Sequence, residues 1–111
     1  MNGGRGIIPK LKVNDIDFYT HWQDTYGMAI VKFTAEAAKE AEGLPVDIHK
    51  RVLAIAKRLE DWPMVSGVKR LTGNLAGWYR MRTGDYRILF RVEGDIVAVV
   101  KIGHRKDVYE D

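Results

Sequence analysis

Two patterns of hydrophobic residues divide the chain. Over 34–63 the apolar residues recur at helical spacing, with Thr34 and Pro45 where helices begin and Gly43 where one ends. The spacing predicts a helix over 35–42 and a longer helix that starts at Pro45 and runs to the next proline.

Downstream of the helices, apolar and polar residues alternate, as they do in strands that bury one face. Together with an apolar run before the helices, the alternation predicts five strands, which cover 28–33, 68–71, 78–83, 86–92 and 96–102. The chain is therefore predicted to be an α+β domain. Its two N-terminal helices pack on one face of a small, mostly antiparallel sheet.

The first 27 residues lie outside this pattern. Residues 1–13 are predicted to be a flexible arm, and Asn14 or Asp15 is predicted to cap a short helix that ends at Gly27. That helix is indicated by a stripe of apolar side chains at helical spacing, formed by Ile16, Tyr19, Trp22 and Tyr26. We therefore expect an N-terminal extension over 1–27 and a single domain over 28–111.

The segment "GWYRMRTGDYRILFRV", residues 77–92, predicts a β-hairpin with concentrated positive charge. Glycine at the first position of Gly84-Asp85 suits a two-residue type II′ turn, which would place Arg82 opposite Arg87. One face of the hairpin is then apolar, and the other, which we call the arginine face, carries Arg80, Arg82, Arg87 and Arg91. Because like charges opposite each other cost a few tenths to about 1 kcal/mol, we expect a polyanion to bind this face.

The net charge of the chain alone does not indicate a polyanionic ligand, but the distribution of charge along the sequence does. The net charge is +3, from 18 Lys+Arg and 15 Asp+Glu. Residues 69–91 carry six of these cations against one anion, Asp85, which gives a local charge of +5. Such a concentration is typical of nucleic-acid binding, and it fits an acidic protein equally well.

Several classes of site and location are excluded by composition. The chain has no cysteine, which excludes disulfides and thiolate chemistry, and its three histidines lack a metal-binding spacing. No carboxylate cluster suits Mg²⁺, so we expect neither a metal nor a cofactor. No apolar run is long enough to span a membrane, and the N-terminus lacks a signal-peptide core. We therefore expect a cytoplasmic protein with no membrane partner.

The C-terminal tail adds groups that can move protons. If the 93–95 turn contributes three loop residues, Arg87 pairs with Lys101 and Arg105 continues on the arginine face. A two-residue loop would move the side chains of that strand to the opposite faces. The longer loop would gather one site at the end of the sheet, formed by Arg80, Arg82, Arg87, His104, Arg105 and Tyr109. Arginines bind phosphate and stabilise charge on its oxygens. The set suits metal-free cleavage of RNA, whose 2′-hydroxyl can attack the adjacent phosphate.

The runs "VKRLTGNLAGWYRMRTGDYRILFRV" and "IVAVVKIGHRKDVY" resemble the RelE/ParE superfamily of bacterial and archaeal toxins, and the RelE branch most. The resemblance extends back to Met28. It implies a ribosome-dependent endoribonuclease that cleaves mRNA in the A site and forms a hetero-oligomer with a cognate antitoxin. The alternative is the ParE branch, which inhibits DNA gyrase without cutting. A binding module held by an acidic antitoxin is a third interpretation.

The resemblance also implies residue roles. The residues that match catalytic positions of the family are Arg80, Arg82, Arg87, Arg105 and Tyr109. The best-studied RelE toxin has lysines where this chain has Arg80 and Arg82, and arginine is a poor base because it stays protonated. Either His104 takes the proton, or catalysis depends on orientation and charge stabilisation. As RNA- or ribosome-binding residues we expect Lys69, Arg70, Arg91 and Lys101.

Overall fold

The computed structural model describes residues 29–108 in full and, before them, the backbone of two strands. In chain order the strands are β1 (Lys10–Val13), β2 (Ile16–Thr20), β3 (Ile30–Thr34), β4 (Lys69–Arg70), β5 (Trp78–Thr83), β6 (Tyr86–Glu93) and β7 (Ile96–His104). The helices, α1 (Ala35–Glu42) and α2 (Val46–Leu59), follow β3, and a short 3-10 turn covers Gly73–Leu75. Neither α1 nor α2 is long and apolar enough to cross a membrane.

The strands form one sheet in the order β1-β2-β3-β7-β6-β5-β4. Among the described strands, only β3 and β7 are parallel neighbours. The chain that connects these two strands is long enough for a parallel crossover, since it includes both helices and the strands β4 to β6. All other neighbours are antiparallel. The predicted α+β class, with two helices on one face of a mostly antiparallel sheet, is confirmed.

The prediction of a short helix after residue 14 is wrong over the part of that segment which the structure describes. Ile16–Thr20 is a strand that pairs antiparallel with β3, with Phe18 opposite Thr34. Its sequence, IDFYT, is rich in β-branched and aromatic residues, and the edge of β3 supplies hydrogen-bond partners that a helix would leave unused. Lys10–Val13, predicted to be a flexible arm, is also a strand. The remainder of 1–27 lies outside the described residues.

The core lies between the two helices and the apolar face of the sheet. Phe90 is fully buried there, and its ring contacts Trp62 and Tyr79 at centroid distances of 5.4 Å each. Buried residues from α1 and α2, such as Ala37 and Leu59, complete the cluster. This packing fixes which face of the hairpin is covered, and it leaves the arginine face on the side away from the helices.

The helix ends follow the sequence signals closely. The Thr34 hydroxyl accepts a hydrogen bond from the Ala37 amide at 3.0 Å, and α1 ends at Gly43. The α2 helix ends at Leu59, before the proline that was predicted to stop it. Nδ1 of His49 lies 2.7 Å from the Ala41 carbonyl oxygen, which ties the start of α2 to the end of α1.

The predicted register of the β5–β6 hairpin is confirmed. Thr83 pairs with Tyr86, and Arg82 lies directly opposite Arg87. Gly84 has a φ of +58°, a backbone conformation that favours glycine. The local turn chemistry therefore determines which arginines face each other.

The predicted register between β6 and β7 is wrong. Glu93 pairs with Ile96, so the loop has two residues and not three. A two-residue loop was expected to move the side chains of β7 to the opposite faces of the sheet. This change of face does not extend to the end of β7, because a β-bulge shifts the register between Leu89 and Phe90. Beyond this bulge Arg87 lies opposite Gly103, two residues past the predicted partner. Past the bulge, the residues of β7 therefore lie on the faces that the three-residue loop predicted.

The part of β7 that extends past β3 is held by α1. The β3–β7 pairing ends with Phe33 opposite Val99, so later amides of β7 need other partners. The Glu40 carboxylate accepts a hydrogen bond from the Ile102 amide at 2.8 Å and pairs with the Lys101 ammonium at 3.0 Å. Hydrogen bonding and the charge of Glu40 raise the pKa of Lys101 above 10.5, with smaller contributions from neighbouring carboxylates.

Replacing Lys101 with methionine should reveal this interaction as a pH-dependent difference in stability. A raised folded pKa means that the contribution of Lys101 is fully present below its unfolded value of 10.5 and is lost as the pH rises through the folded value. We expect Lys101→Met to be less stable than the parent protein near pH 8, with a difference that shrinks above about pH 10.5. Urea unfolding of both proteins across this range measures it, with Lys50→Met on the exposed side of α2 as the control. A difference that stays constant up to about pH 11.5 would contradict the assignment.

Candidate functional site

The arginine face is formed by alternate residues of β5 and β6. Arg80 and Arg82 project from β5, and Arg87 and Arg91 from β6, on the side of the sheet opposite Phe90 and the helices. Two apolar residues share the face with them, Trp78 and Leu89. The four arginines differ in what they contact, and those contacts separate structural cations from cations presented to solvent.

Arg87 is the most buried of these arginines, with 7% of its surface exposed. Its guanidinium Nη1 donates to the Gly84 carbonyl at 3.1 Å and to the Tyr86 carbonyl at 3.3 Å. These bonds hold the guanidinium against the hairpin turn. The opposing Arg82 is exposed, so the pair divides into one arginine that supports the turn and one that faces solvent.

Arg91 is held at the opposite end of the face. Its guanidinium lies 5.6 Å from the centroid of the Trp78 ring and 3.3 Å from the Glu93 carboxylate. Both contacts reduce the positive charge that Arg91 offers to a ligand.

The other predicted RNA contacts also divide. Lys69 is exposed and pairs with Arg80 across β4 and β5, on the arginine face. Arg70 lies on the opposite face, over the Tyr79 ring at 5.7 Å from its centroid. Lys101 points to α1, where Glu40 and Glu36 lie within 4.0 Å of its ammonium. Of these three, only Lys69 adds an exposed cation to the arginine face.

Arg105 reaches the same turn as Arg82 and Arg87. Its amide donates to the Asp85 carbonyl at 2.7 Å, and its Nε lies 3.8 Å from the Asp85 carboxylate. The side chain remains 60% exposed, so the ion pair leaves the guanidinium open to a ligand. Backbone pairing therefore brings a second exposed arginine to the turn where Arg82 lies.

His104 lies on the other face. It pairs with Tyr86, whose alternation along β6 continues with Ile88 and Phe90 toward the helices. The imidazole packs edge-on against the Tyr86 ring at 5.5 Å, and its Nδ1 accepts a hydrogen bond from the Lys106 amide at 3.2 Å. His104 therefore lies at the predicted end of the sheet, where Arg105 and the hairpin turn also lie, but on the face opposite the arginines. Tyr109 lies outside the described residues.

The tail is anchored by a small apolar cluster that sequence reasoning missed. Val108, 4% exposed, packs with Leu71 and Leu89 on the arginine face. A Cβ at Gly103 would lie 3.0 Å from Cγ2 of Val108, so a side chain there would press against Val108. The one signal in the sequence was Leu89, an apolar residue between two arginines. It required a partner that only the folded tail supplies.

The arrangement is suited to binding and stabilising an oxyanion. Arg82 and Arg105 present exposed guanidiniums at one turn, with Arg80 and Lys69 further along the same face. Within residues 29–108, no group of three or more histidine, aspartate or glutamate side chains is placed to hold a metal ion. The exposed guanidiniums and the Lys69 ammonium can bind a phosphate and stabilise charge on its oxygens.

Known proteins share both the sequence pattern and the fold. Residues 31–109 match the family described as the ParE toxin of the type II toxin–antitoxin system, parDE. Toxin RelG of Mycobacterium tuberculosis is 34% identical over 82 residues, which are 71% of this chain and 93% of that protein. Toxin RelE3 of Methanocaldococcus jannaschii is 29% identical over 83 residues, which are 72% of this chain and 94% of that protein.

A solved structure gives the same result for the fold. A chain in the crystal structure of the toxin–antitoxin complex RelBE2 from Mycobacterium tuberculosis superposes with a TM-score of 0.62 at 30% identity. The match covers 71% of this chain and 99% of that chain. Fold and sequence agree, and the chain belongs to the RelE/ParE superfamily of toxins.

Proposed function

We propose that this protein is the toxin of a toxin–antitoxin pair and that it cleaves mRNA on the ribosome. The observation that carries the proposal is that Arg82 and Arg105, both exposed, lie beside the same β5–β6 turn. Their guanidiniums can bind one phosphate and stabilise the charge that develops as a 2′-hydroxyl attacks it. The relatives named RelE3 and RelG support the RelE branch.

Dependence on the ribosome follows from the openness of this surface. Among the described residues, the candidate site is a sheet face and a turn that carry exposed arginines. A catalyst that supplies charge but little positioning depends on another body to orient the reacting groups. The ribosome, which holds the message extended in its decoding site, supplies that orientation in this proposal.

The arginines do not account for the proton transfer that cleavage requires. Arginine remains protonated, so Arg82 and Arg105 act through orientation and charge. His104 has Nδ1 occupied by the Lys106 amide and lies on the helix-facing side of the sheet. We propose that charge stabilisation dominates, and that His104 contributes by holding the tail in place.

A second candidate function is inhibition of DNA gyrase, because the matched family is described by its ParE member. Induced expression with primer extension on cellular mRNA separates the two functions. Cuts in phase with codons support cleavage on the ribosome, whereas DNA damage with intact mRNA supports the gyrase function.

The partner we propose is an antitoxin encoded with this chain. The RelBE2 neighbour is a toxin–antitoxin complex, and the basic arginine face of this chain suits an acidic polypeptide. Toxin and antitoxin would then form a hetero-oligomer in which cleavage is suppressed.

Cleavage should be far faster on programmed ribosomes than on naked RNA. The reason is the open surface, which binds phosphate without fixing the reacting atoms. Purified protein is incubated with the same mRNA, free or bound to ribosomes, and the cut ends are mapped by primer extension. Comparable rates on the two substrates would overturn the role of the ribosome and leave cleavage itself standing.

Single alanine substitutions should separate functional from structural arginines. Arg82→Ala and Arg105→Ala should each slow cleavage by about 100- to 1000-fold and change stability by less than about 0.5 kcal/mol. Arg87→Ala should instead lose roughly 1.5–3 kcal/mol of stability, because it removes buried charged hydrogen bonds to the turn.

Single-turnover cleavage and urea unfolding measure the two effects. Lys50→Ala removes one exposed cation from α2, away from the arginine face, and serves as the matched control for net charge. If Arg82→Ala and Arg105→Ala cleave at the control's rate, the assigned site is wrong.

His104→Gln tests the source of the proton. Since His104 lies on the face opposite the arginines, we expect single-turnover cleavage to fall less than about tenfold, whereas loss of a general base typically costs about 100-fold or more. A loss of the larger size, with ribosome binding unchanged, would identify His104 as the general base.

A further inference from the structure

An open cavity of about 270 Å³ borders the arginine face. It lies between the first turn of α1, the 3-10 turn and the tail, and its walls are mostly apolar: Leu75, Trp78, Leu89 and Val100. The volume is below the roughly 300–1,000 Å³ of pockets that hold drug-sized ligands. It suits one side chain or one nucleobase.

The mouth of the cavity is acidic, unlike the rest of this face. Glu36 and Asp107, both exposed, line it together with Lys101. The Lys101 ammonium is already bound by Glu40 at 3.0 Å and lies 4.0 Å from Glu36. Two carboxylates and one ammonium therefore line the cavity. Because Glu40 already binds that ammonium from outside the lining, hydrogen-bond acceptors exceed free donors there.

This surplus of carboxylates restricts what can enter. A phosphate would meet like charge, so the cavity does not extend the phosphate site of Arg82 and Arg105. An occupant needs an apolar body for the walls and N–H donors for Glu36 and Asp107. A planar base with amino groups and a cationic side chain of a partner protein both meet these conditions.

The surroundings favour the base. Leu89 lies between Arg87 and Arg91 along β6, and Trp78 alternates with Arg80 and Arg82 along β5. A cationic peptide in the cavity would lie beside these arginines and meet like charge. A single strand of RNA carries anionic phosphates beside donor-bearing bases, which matches cations beside an acidic apolar cavity.

We propose that this cavity is a nucleobase subsite, which selects guanine from the RNA strand that lies on the arginine face. Guanine presents two adjacent donors, N1–H and the N2 amino group, and a carboxylate such as that of Glu36 can accept both. Its O6 acceptor can face Lys101. Uracil, with one ring donor between two carbonyl oxygens, matches an acceptor-rich mouth least. The subsite rests on the proposed function for its biological use, but its binding of a base does not depend on cleavage.

Nucleoside titration followed by ¹H–¹⁵N NMR tests the subsite without phosphate and without ribosomes. Guanosine should shift the Trp78 indole N–H and the Leu89 amide, and uridine should bind at least about fivefold more weakly. Glu36→Gln and Asp107→Asn should each weaken guanosine binding by about fivefold or more. Glu42→Gln, on the same helix but outside the cavity, is the matched control.

Three results would overturn the proposal: no shifts with any nucleoside, equal binding of uridine and guanosine, or tighter binding of N-acetyl-arginine amide than of guanosine. The last would identify the cavity as the site of a cationic side chain from a protein partner.

Cleavage mapping then separates the subsite from the proposed function. If ribosome-bound mRNA is cut, Glu36→Gln should reduce the enrichment of guanine near the cut sites relative to the control Glu42→Gln, because one good base contact is worth about fivefold or more. Unchanged enrichment would overturn the subsite while the cleavage function stands. Guanosine binding without any cleavage would instead overturn the proposed function and leave the subsite.

Discussion

The alternation of side chains along β6 and β7 is the constraint on which the candidate site depends. A strand shows each residue to one face, and a shift of one residue moves every later side chain to the other face. The two-residue β6–β7 loop would send Arg105 to the helix side. The bulge between Leu89 and Phe90 adds one residue and restores the alternation, so that Arg105 meets Asp85 at the hairpin turn. The same shift places His104 opposite Tyr86, on the helix side.

Charge repulsion on the arginine face is reduced through different local contacts. Arg87 donates to carbonyls of its own hairpin, and Arg91 lies against Trp78 and Glu93. These contacts remove two cations from competition for a ligand. Arg82 and Arg105 stay exposed. The candidate site is therefore smaller than the four-arginine face that the sequence predicted, and it lies near one turn.

The sequence predicted the elements whose signals are local. Thr34 and Gly43 fixed the ends of α1, and Gly84 fixed the register that places Arg82 opposite Arg87. Sequence reasoning failed where the outcome depends on distant partners. The bulge shifts the register in the middle of the strand, between Leu89 and Phe90, and no residue at the loop marks it. The strand Ile16–Thr20 forms because the edge of β3 is available, and an isolated segment with the same residues also fits a helical stripe.

The N-terminal strands also change the environment of β3. In the region that matches the toxin family, which begins at residue 31, β3 pairs with β7 on one side only. A lysine on such an edge strand discourages association with other chains, and Lys32 occupies that position. Here β2 pairs with the other side of β3, with Thr20 opposite Lys32. Lys32 is buried, at 4% exposure, and burial lowers its pKa against the opposing effect of Asp95. The extension therefore turns an edge strand into an interior one, and the position where an edge lysine would discourage association with other chains already has a partner strand.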